Sequence, residues 1–522
     1  MSQALIAALQ NPALYPHPVE QFQVIETHIS WVLLTGPYAY KIKKPVNFGF
    51  LDFTTLADRQ HFCAEELRLN QRLTQGLYLQ VLAIGGSEQH PQLGVDAGAP
   101  VIEYALQMRQ FPQSQLLAEV QARGELLPQH IDQLAEQIAR FHASTPALPR
   151  EHALCNSAAI GAPMWQNFEQ IRPLLQDSRD LQQLEALEAW TRSTFARLEP
   201  LLEQRCQQGM LRECHGDLHL GNAALLDGQP VFFDCIEFNE PFRLIDIASD
   251  AAFLVMDLED RGLKPLARRF LDQWLEHSGD YAALPLFNLY QAYRALVRAK
   301  VSLFSMAQEG DAVQRAVILR QYRRYADLAE SYSAIPSRFL AITHGVSAVG
   351  KSHVAMRLVE ALGAIRLRSD RERKRLFEAQ HGATQDTLYA GLYSSEISAA
   401  TYAHLHRLAG DILAAGYPVV IDATYLQHSQ RQAAQAVAET LGCPLLILDC
   451  HAPQAYIEQW LAQRQANQQD PSDATLAVIA AQQSRREPLL REEQLLCQRV
   501  DTHDASSLDS LIERIRQHLP GL

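Results

Sequence analysis

At 522 residues the chain is too long for one ordinary domain, so two or three separate cores are expected. Hydrophobic residues make up 47% of it, enough for sizeable cores, and a formal charge of −13 disfavours non-specific binding to nucleic acid or an anionic membrane. No apolar run approaches a membrane span, no basic region precedes a long apolar core at the N-terminus, and the eight cysteines contain no Cys-x-x-Cys pair. The expectation is a soluble protein of the reducing cytoplasm, with no membrane partner. The charge is uneven: residues 1–335 carry 28 basic and 39 acidic groups, net −11, and the remainder carries 18 and 20, net −2.

In chain order, Ile29-Ser-Trp-Val-Leu-Leu, a Thr35-Gly-Pro turn and Tyr38-Ala-Tyr-Lys-Ile-Lys-Lys predict a hairpin over residues 28–45. Lys41 and Lys43 share one face of its second strand, because side chains alternate with period two. Leu56, Cys63, Leu67 and Leu69 then follow a helical pattern between Thr55 and Leu73, on a segment carrying Glu65 and Glu66. Val101 to Phe111 alternates like a strand. Ile131, Leu134, Ile138 and Phe141 mark a long amphipathic helix ending at His142, and helices continue to about residue 208.

The stretch His215-Gly-Asp-Leu-His-Leu-Gly-Asn222 places a carboxylate, Asp217, five residues before an amide, Asn222. A second carboxylate, Asp234, closes the apolar run Pro230-Val-Phe-Phe. Phosphoryl transfer needs such a set: one carboxylate to accept the proton of the attacking hydroxyl, and an amide oxygen with a second carboxylate to hold the Mg²⁺ that bridges the ATP phosphates. With His-Gly-Asp in the loop and Phe242-Arg-Leu-Ile-Asp246-Ile-Ala downstream, the first part of the chain resembles the aminoglycoside phosphotransferase branch of the protein-kinase-like fold. The resemblance implies a two-lobed fold, Lys41 as the strand lysine gripping the α- and β-phosphates, and Glu66, preferred over Glu65, as its partner. It also implies adenine contacts near Met108–Phe111 and an Asp246 segment that braces the catalytic loop. A solvated strand face suits Lys43 and Lys44. The glycine loop that covers the phosphates in protein kinases is missing, since Gly36 is the only glycine before Gly49. From Leu284 to Phe304 a helix carries Arg294 and Arg298, one turn apart; a solvated face or contact with an anionic substrate would each account for them.

After Ser331-Tyr-Ser-Ala-Ile-Pro-Ser, which reads as a linker, a short apolar strand Phe339-Leu-Ala-Ile-Thr runs into Gly345-Val-Ser-Ala-Val-Gly-Lys-Ser352 and then a helix through Leu362. Strand, Gly-x-x-x-x-Gly-Lys-Ser and helix in that order form a phosphate-binding loop: Gly345 and Gly350 let backbone N–H groups surround phosphates, Lys351 reaches the β- and γ-phosphates, and Ser352 ligates Mg²⁺. Asp422 closes the strand Pro418-Val-Val-Ile and offers a second magnesium ligand. Asp370, just after another short strand, is the candidate acceptor of a substrate hydroxyl's proton; a helix cap is its bland alternative. Arg464, Arg485 and Arg486 are candidate lid arginines. Asp370 with Arg373, and Asp422-Ala-Thr424, make this half resemble the small P-loop kinases that include polynucleotide 5′-hydroxyl kinase, gluconate kinase and zeta-toxin-like enzymes. It lacks the sensor and second-arginine patterns of an AAA+ motor. Six of the ten residues from Arg366 to Arg375 are basic, which suits either an anionic substrate or nucleic-acid end, or a charged helix face balanced by Glu372 and Glu378.

The whole chain therefore resembles bacterial bifunctional proteins in which an aminoglycoside-phosphotransferase-like domain, here 1–335, precedes a P-loop ATP-binding domain, here 336–522. The expected fold class is α+β for the kinase-like half and α/β for the three-layer P-loop half with its parallel sheet. The expected function is transfer of the γ-phosphate of Mg·ATP to a hydroxyl of an unidentified small molecule at two sites, with nucleic acid an unfavoured partner. A regulatory ATP-binding protein with one idle domain, and a C-terminal nucleic-acid 5′-hydroxyl kinase, are the alternatives.

Overall fold

The computed structural model describes residues 3–49, 51–96, 98–306, 311–334, 337–381, 395–467 and 476–519. The chain forms two compact units, Met1–Asp260 with Leu289–Ala329, and Arg261–Asn288 with Glu330–Leu522.

In the first unit a six-stranded sheet has the order β1-β2-β3-β6-β4-β5, with β1 Gln23–Glu26, β2 Ser30–Leu34, β3 Tyr38–Lys43, β4 Tyr78–Gly86, β5 Pro91–Leu93 and β6 Val101–Arg109. All its pairings are antiparallel, and β3 is central, with Lys41 opposite Val32 on β2 and Leu106 on β6. Alternation divides β3: Tyr40 and Ile42 join a core with Leu5, Ile6, Trp31 and Leu33, while Lys41 and Lys43 point to the other face. The helix Leu56–Asn70 starts where Thr55 caps the N–H of Asp58 and buries Glu66. The rest of the unit is mainly helical, with two short antiparallel pairs: β7 (Leu211–Glu213) with β10 (Leu244–Asp246), and β8 (Ala223–Leu226) with β9 (Gln229–Phe232). The helix Pro128–Ser144 buries Ile131, Leu134, Ile138 and Phe141, the stripe its sequence spacing requires.

The second unit is built on a five-stranded parallel sheet in the order β12-β13-β11-β14-β15: β11 Leu340–His344, β12 Ile365–Arg368, β13 Val419–Asp422, β14 Leu445–His451 and β15 Cys497–Asp501. β11 and β13 are buried along their whole length, as central parallel strands must be, and read as unbroken apolar runs apart from their ends. The helix Lys264–Ser278 lies far back in the sequence yet packs in this unit, against β12.

Its acidic residues explain the basic run. Arg366, buried, donates its backbone N–H to Asp272 (2.9 Å) and pairs through Nη2 with Asp272 (3.1 Å) and Glu276 (2.7 Å). Arg368 and Arg371 each reach Glu276 Oε1 at 3.0 Å, and Arg375 joins Glu372 and the Glu276 carbonyl. Four of the six basic residues thus neutralise buried acids. These four are held by Asp272, Glu276 and Glu372 rather than presented as an open anion surface. Removing one partner of such a buried network leaves uncompensated charge, so Glu276→Ala is expected to destabilise this unit by about 3–5 kcal/mol. Hydrogen exchange of the β12 amides against urea checks this; unchanged protection would make the network energetically idle.

Candidate functional site

In the first unit Lys41 Nζ sits 2.7 Å from both Glu66 Oε1 and Asp234 Oδ1. Asp234 follows β9 in the left-handed region (φ 66°), and its N–H donates to Tyr78 Oη at 3.1 Å. A non-glycine residue at positive φ is uncommon, and here it delivers a carboxylate to the strand lysine. Lys43 is not on a solvated face. It is buried, 2.6 Å from Glu66 Oε2, and bonded to Glu237, so two lysines share one glutamate. Burial pushes Glu66 up, but Lys41 and Lys43 outweigh it and hold the carboxyl at about 2, ionised.

The loop 215–222 is joined to the end of β9. The His215 ring donates through Nε2 to Phe233 O (2.9 Å), Phe233 N–H donates to Asn222 O (2.9 Å), and Ile236 N–H donates to His215 O (3.0 Å). Asn222 Nδ2 donates to Asp217 O (3.1 Å) and Oδ2 (2.9 Å), which leaves Asn222 Oδ1 as the amide atom able to take a cation. Asn222 Oδ1 and Asp234 Oδ2 are oxygens of the hard type that Mg²⁺ prefers. His219 Nε2 lies 3.2 Å from Asp217 Oδ2, and Arg298 Nη1 lies 3.5 Å from His219 Nε2. Burial raises Asp217, but His219 and Arg298 outweigh it and hold this carboxyl below the usual range. Gly216 is at φ 87°, where an added Cβ would meet Phe242 O at 2.8 Å, so only glycine fits.

In the second unit the loop 345–350 joins β11 to the helix Lys351–Leu362, with Ala348 and Gly350 at φ 61° and 86°. A Cβ at Gly350 would lie 2.8 Å from Thr502. Lys351 Nζ donates to Val346 O at 2.6 Å, folded across the loop. Gln482 takes the Ser347 N–H on its Oε1 (2.7 Å) and donates to Ser347 Oγ (3.0 Å). Ser347, Ala348, Gly350, Lys351, Gln482 and Asp422 line a cleft of about 720 Å³ that also holds Ser352, Asp370, Arg373 and Arg485. Ser352 Oγ and the Asp422 carboxylate suit a magnesium ion beside the helix N-terminus. The first unit has a cavity of about 800 Å³ against Arg72, Arg109 and Asp227, but Lys41, Glu66, Asp217, Asn222 and Asp234 do not line it.

A family described as a phosphotransferase enzyme family matches residues 60–287, and one described as an AAA domain matches residues 340–489. Three uncharacterized mycobacterial proteins, among them Rv2004c of Mycobacterium tuberculosis and Mb2027c of Mycobacterium bovis, are 30% identical over 480 residues, covering 90% of this chain and 92% of theirs. The chain belongs to their family. It joins a kinase-like phosphotransferase domain to a P-loop kinase domain.

Among solved structures, the GDP complex of an aminoglycoside 2′-phosphotransferase is 14% identical with a TM-score of 0.40, over 63% of this chain and 100% of that one. An APS kinase of Mycobacterium tuberculosis is 20% identical with a TM-score of 0.25, over 35% and 97%.

In the phosphotransferase domain Lys41 contacts both Glu66 and Asp234, and Asn222 contacts Asp217. In the P-loop domain Gly350, Lys351, Ser352, Asp370 and Asp422 line one cleft, with Gly345 at the end of β11. Arg464 lies on the helix Gln454–Asn467, but its side chain is outside the described residues. Arg485 lines the cleft, whereas Arg486 is turned to Asp449 (2.9 Å) and His344 (3.2 Å).

Two expectations about the first unit are corrected. Asp246 does not brace the loop at 215–222: it is locked to Arg205 by two 2.7 Å bonds and to Tyr290 at 3.1 Å. Asp250, one helical turn on, does so by accepting from the N–H groups of His215 (3.1 Å) and Gly216 (2.9 Å), with His142 behind it at 3.1 Å. Arg294 faces neither solvent nor substrate: it is buried and donates to Gly216 O (3.0 Å) and to Ser249. At Asp370, burial and then Asp422 raise the carboxyl above its ordinary range against the opposing pull of Arg373, Arg368 and Lys351. The adenine expectation narrows too, because the N–H groups of Arg109 and Gln110 are already engaged by Leu77 O and Pro37 O. Asp250 and Asp257, the latter accepting from the Leu220 N–H (2.9 Å), were legible as acids within the mainly apolar stretch Ile247–Leu258, where buried charge signals a specific partner.

Proposed function

We propose that the chain is a cytoplasmic, Mg·ATP-dependent phosphotransferase with two nucleotide sites, one in residues 1–335 and one in residues 336–522, each acting on a hydroxyl of a small molecule. Lys41, positioned by Glu66, holds the α- and β-phosphates in the first site, with Asn222 and Asp234 on magnesium. Gly345, Gly350, Lys351 and Arg464 hold the phosphates in the second, with Ser352 and Asp422 on magnesium. When bound, ATP supplies the phosphoryl group, and the metal neutralises its developing charge. Asp217 in one site and Asp370 in the other accept the hydroxyl proton as the acceptor oxygen bonds to the γ-phosphorus and its bond to ADP breaks. The observation that carries this reading is the convergence of Glu66 and Asp234 on Lys41, beside a loop that pairs Asp217 with Asn222.

The alternative is a regulatory ATP-binding protein whose kinase-like domain is idle. The turn between β1 and β2, where a phosphate-covering loop would lie, supports it: the Ile29 and Ser30 N–H groups are taken by Thr27 Oγ1 (3.3 and 2.9 Å) rather than left for phosphate. Calorimetry with a non-hydrolysable ATP analogue separates the two. The intact chain is expected to titrate two sites, Lys351→Ala to lose one, and Asp234→Ala to lose the other. A single site, removed by Lys351→Ala, would favour the regulatory reading.

A further inference from the structure

We propose that the large cavity of the first unit, apart from the proposed nucleotide site, binds a small molecule that joins a phosphate or carboxylate to an apolar or aromatic body.

At about 800 Å³ the cavity has the size of a small-molecule site. Its wall is drawn from residues 72–77 after the helix Leu56–Asn70, residues 109–115 after β6, residues 137–144 of the helix Pro128–Ser144, and residues 226–231 of the β8–β9 hairpin. Part of the wall is apolar: Leu73, Leu77, Phe111, Phe141, Leu226 and Val231.

The charge of the wall runs against that of the chain around it. Residues 1–335 carry net −11, yet the charged residues here are Arg72, Arg109 and Arg140 against Asp227 alone. Turn chemistry accounts for Asp227. It lies at φ 51° before Gly228 at φ 75°, the left-handed pair that a two-residue hairpin turn requires. An ammonium-bearing ligand would therefore meet three guanidiniums for one carboxylate.

The arginines differ in what they already hold. Arg140 is exposed and paired with Glu136 at 2.6 Å. Arg72 is held in place: Nε donates to Leu69 O (3.0 Å), Nη1 donates to Glu213 O (2.8 Å) and Oε2 (3.2 Å), and the guanidinium lies 5.0 Å from the Phe141 ring centroid. Its other terminal nitrogen, Nη2, is buried with no hydrogen-bond partner. Burial pushes the neighbouring Cys235 thiol up, so that thiol offers Arg72 no negative charge. Arg109 ends β6 and is exposed; its N–H donates to Leu77 O, and among the described residues its guanidinium makes no hydrogen bond or ion pair.

Gln137 Oε1, on the same wall, is likewise buried without a partner. Buried polar groups are nearly always paired, so two orphans on one cavity point to a bound group. The guanidiniums of Arg72 and Arg109 suit a phosphate or carboxylate, which accepts their N–H groups in charge-assisted bonds. The Gln137 oxygen suits a hydroxyl or N–H of the same ligand, and the apolar wall suits its body.

The test titrates the intact chain by calorimetry with matched probes: 1-naphthyl phosphate, 1-naphthoate, uncharged 1-naphthalenemethanol, cationic 1-naphthylmethylamine and inorganic phosphate. Each is run with and without a saturating non-hydrolysable ATP analogue and magnesium. The expected result is one saturable site for naphthyl phosphate, naphthoate or both, unchanged by the analogue, with the other three probes weaker by about tenfold or more. The tighter of the two anionic probes names the anionic group. Arg109→Gln, which removes an exposed guanidinium, should weaken those probes about tenfold, and Arg72→Lys, which keeps the charge but lacks Nη2, should do the same. Equal binding of the alcohol or the ammonium probe overturns the anionic class, and equal binding of inorganic phosphate overturns the apolar body. Displacement by the analogue, or indifference to Arg109→Gln, puts the binding elsewhere and overturns the site, as does the absence of saturable binding.

Discussion

Asp217→Asn, in a chain whose P-loop site is disabled by Lys351→Ala, is expected to lower phosphotransfer by about two to four orders of magnitude, the usual contribution of a positioned general base. The substitution keeps an oxygen to accept from Asn222 Nδ2, now at 2.9 Å, so the loop need not move. Lys41, Glu66 and Asp234 are untouched, so analogue binding by calorimetry should be retained. Loss of transfer with binding intact isolates the proton-accepting step. Undiminished ADP release would remove the kinase assignment from the first site.

Asp370→Asn, with Asp217→Asn in the background, is expected to cost the P-loop site a similar two to four orders of magnitude while ATP affinity stays. The helix-cap reading predicts the reverse, a small loss of stability and no loss of rate. Asp370 is the second residue of the helix Ser369–His381 and lines the cleft beside Lys351 and Asp422. The pH dependence adds a second readout. A base must be ionised to act, and Asp370 is raised above the ordinary value of 3.8, first by burial and then by Asp422. Activity at this site is therefore present above that raised pKa and lost as pH falls through it. Asp217 is displaced the other way, against burial, by His219 and Arg298. The acid limb of kcat/KM should accordingly lie at higher pH for the P-loop site than for the kinase-like site, each measured with the other silenced. Coincident limbs, or an Asp370→Asn variant at the parent rate, would move the proton acceptor elsewhere.

Both sites depend on residues that are poor choices for stability alone. Asp234 adopts a left-handed backbone, Lys41 and Lys43 are crowded onto one glutamate, and Asp370 is partly desolvated next to Asp422. Each arrangement raises local cost, which supports the proposed sites, because strain and perturbed charge are expected where catalysis rather than folding selects a residue.

What the sequence determined by itself is the chemistry carried on contiguous segments. Asp217 and Asn222 are five residues apart on one loop, and the Gly345–Ser352 loop lies between a strand and a helix. Such offsets are legible because the backbone alone brings the groups together, so spacing is nearly geometry. Alternation on β3 likewise put Lys41 and Lys43 on one face. Burial was not legible there: Lys43 became a core residue only because Glu237, far along the chain, reaches it. The same holds for the basic run at 366–375, which looked like a surface until Asp272 and Glu276 met it from a helix some ninety residues earlier. Asp246 and Asp250 differ by one helical turn, and nothing local tells which carboxylate meets the loop and which meets Arg205. These choices were made by packing, since a buried charge takes whichever partner the tertiary fold brings within reach, and that partner's distance along the chain carries no signal.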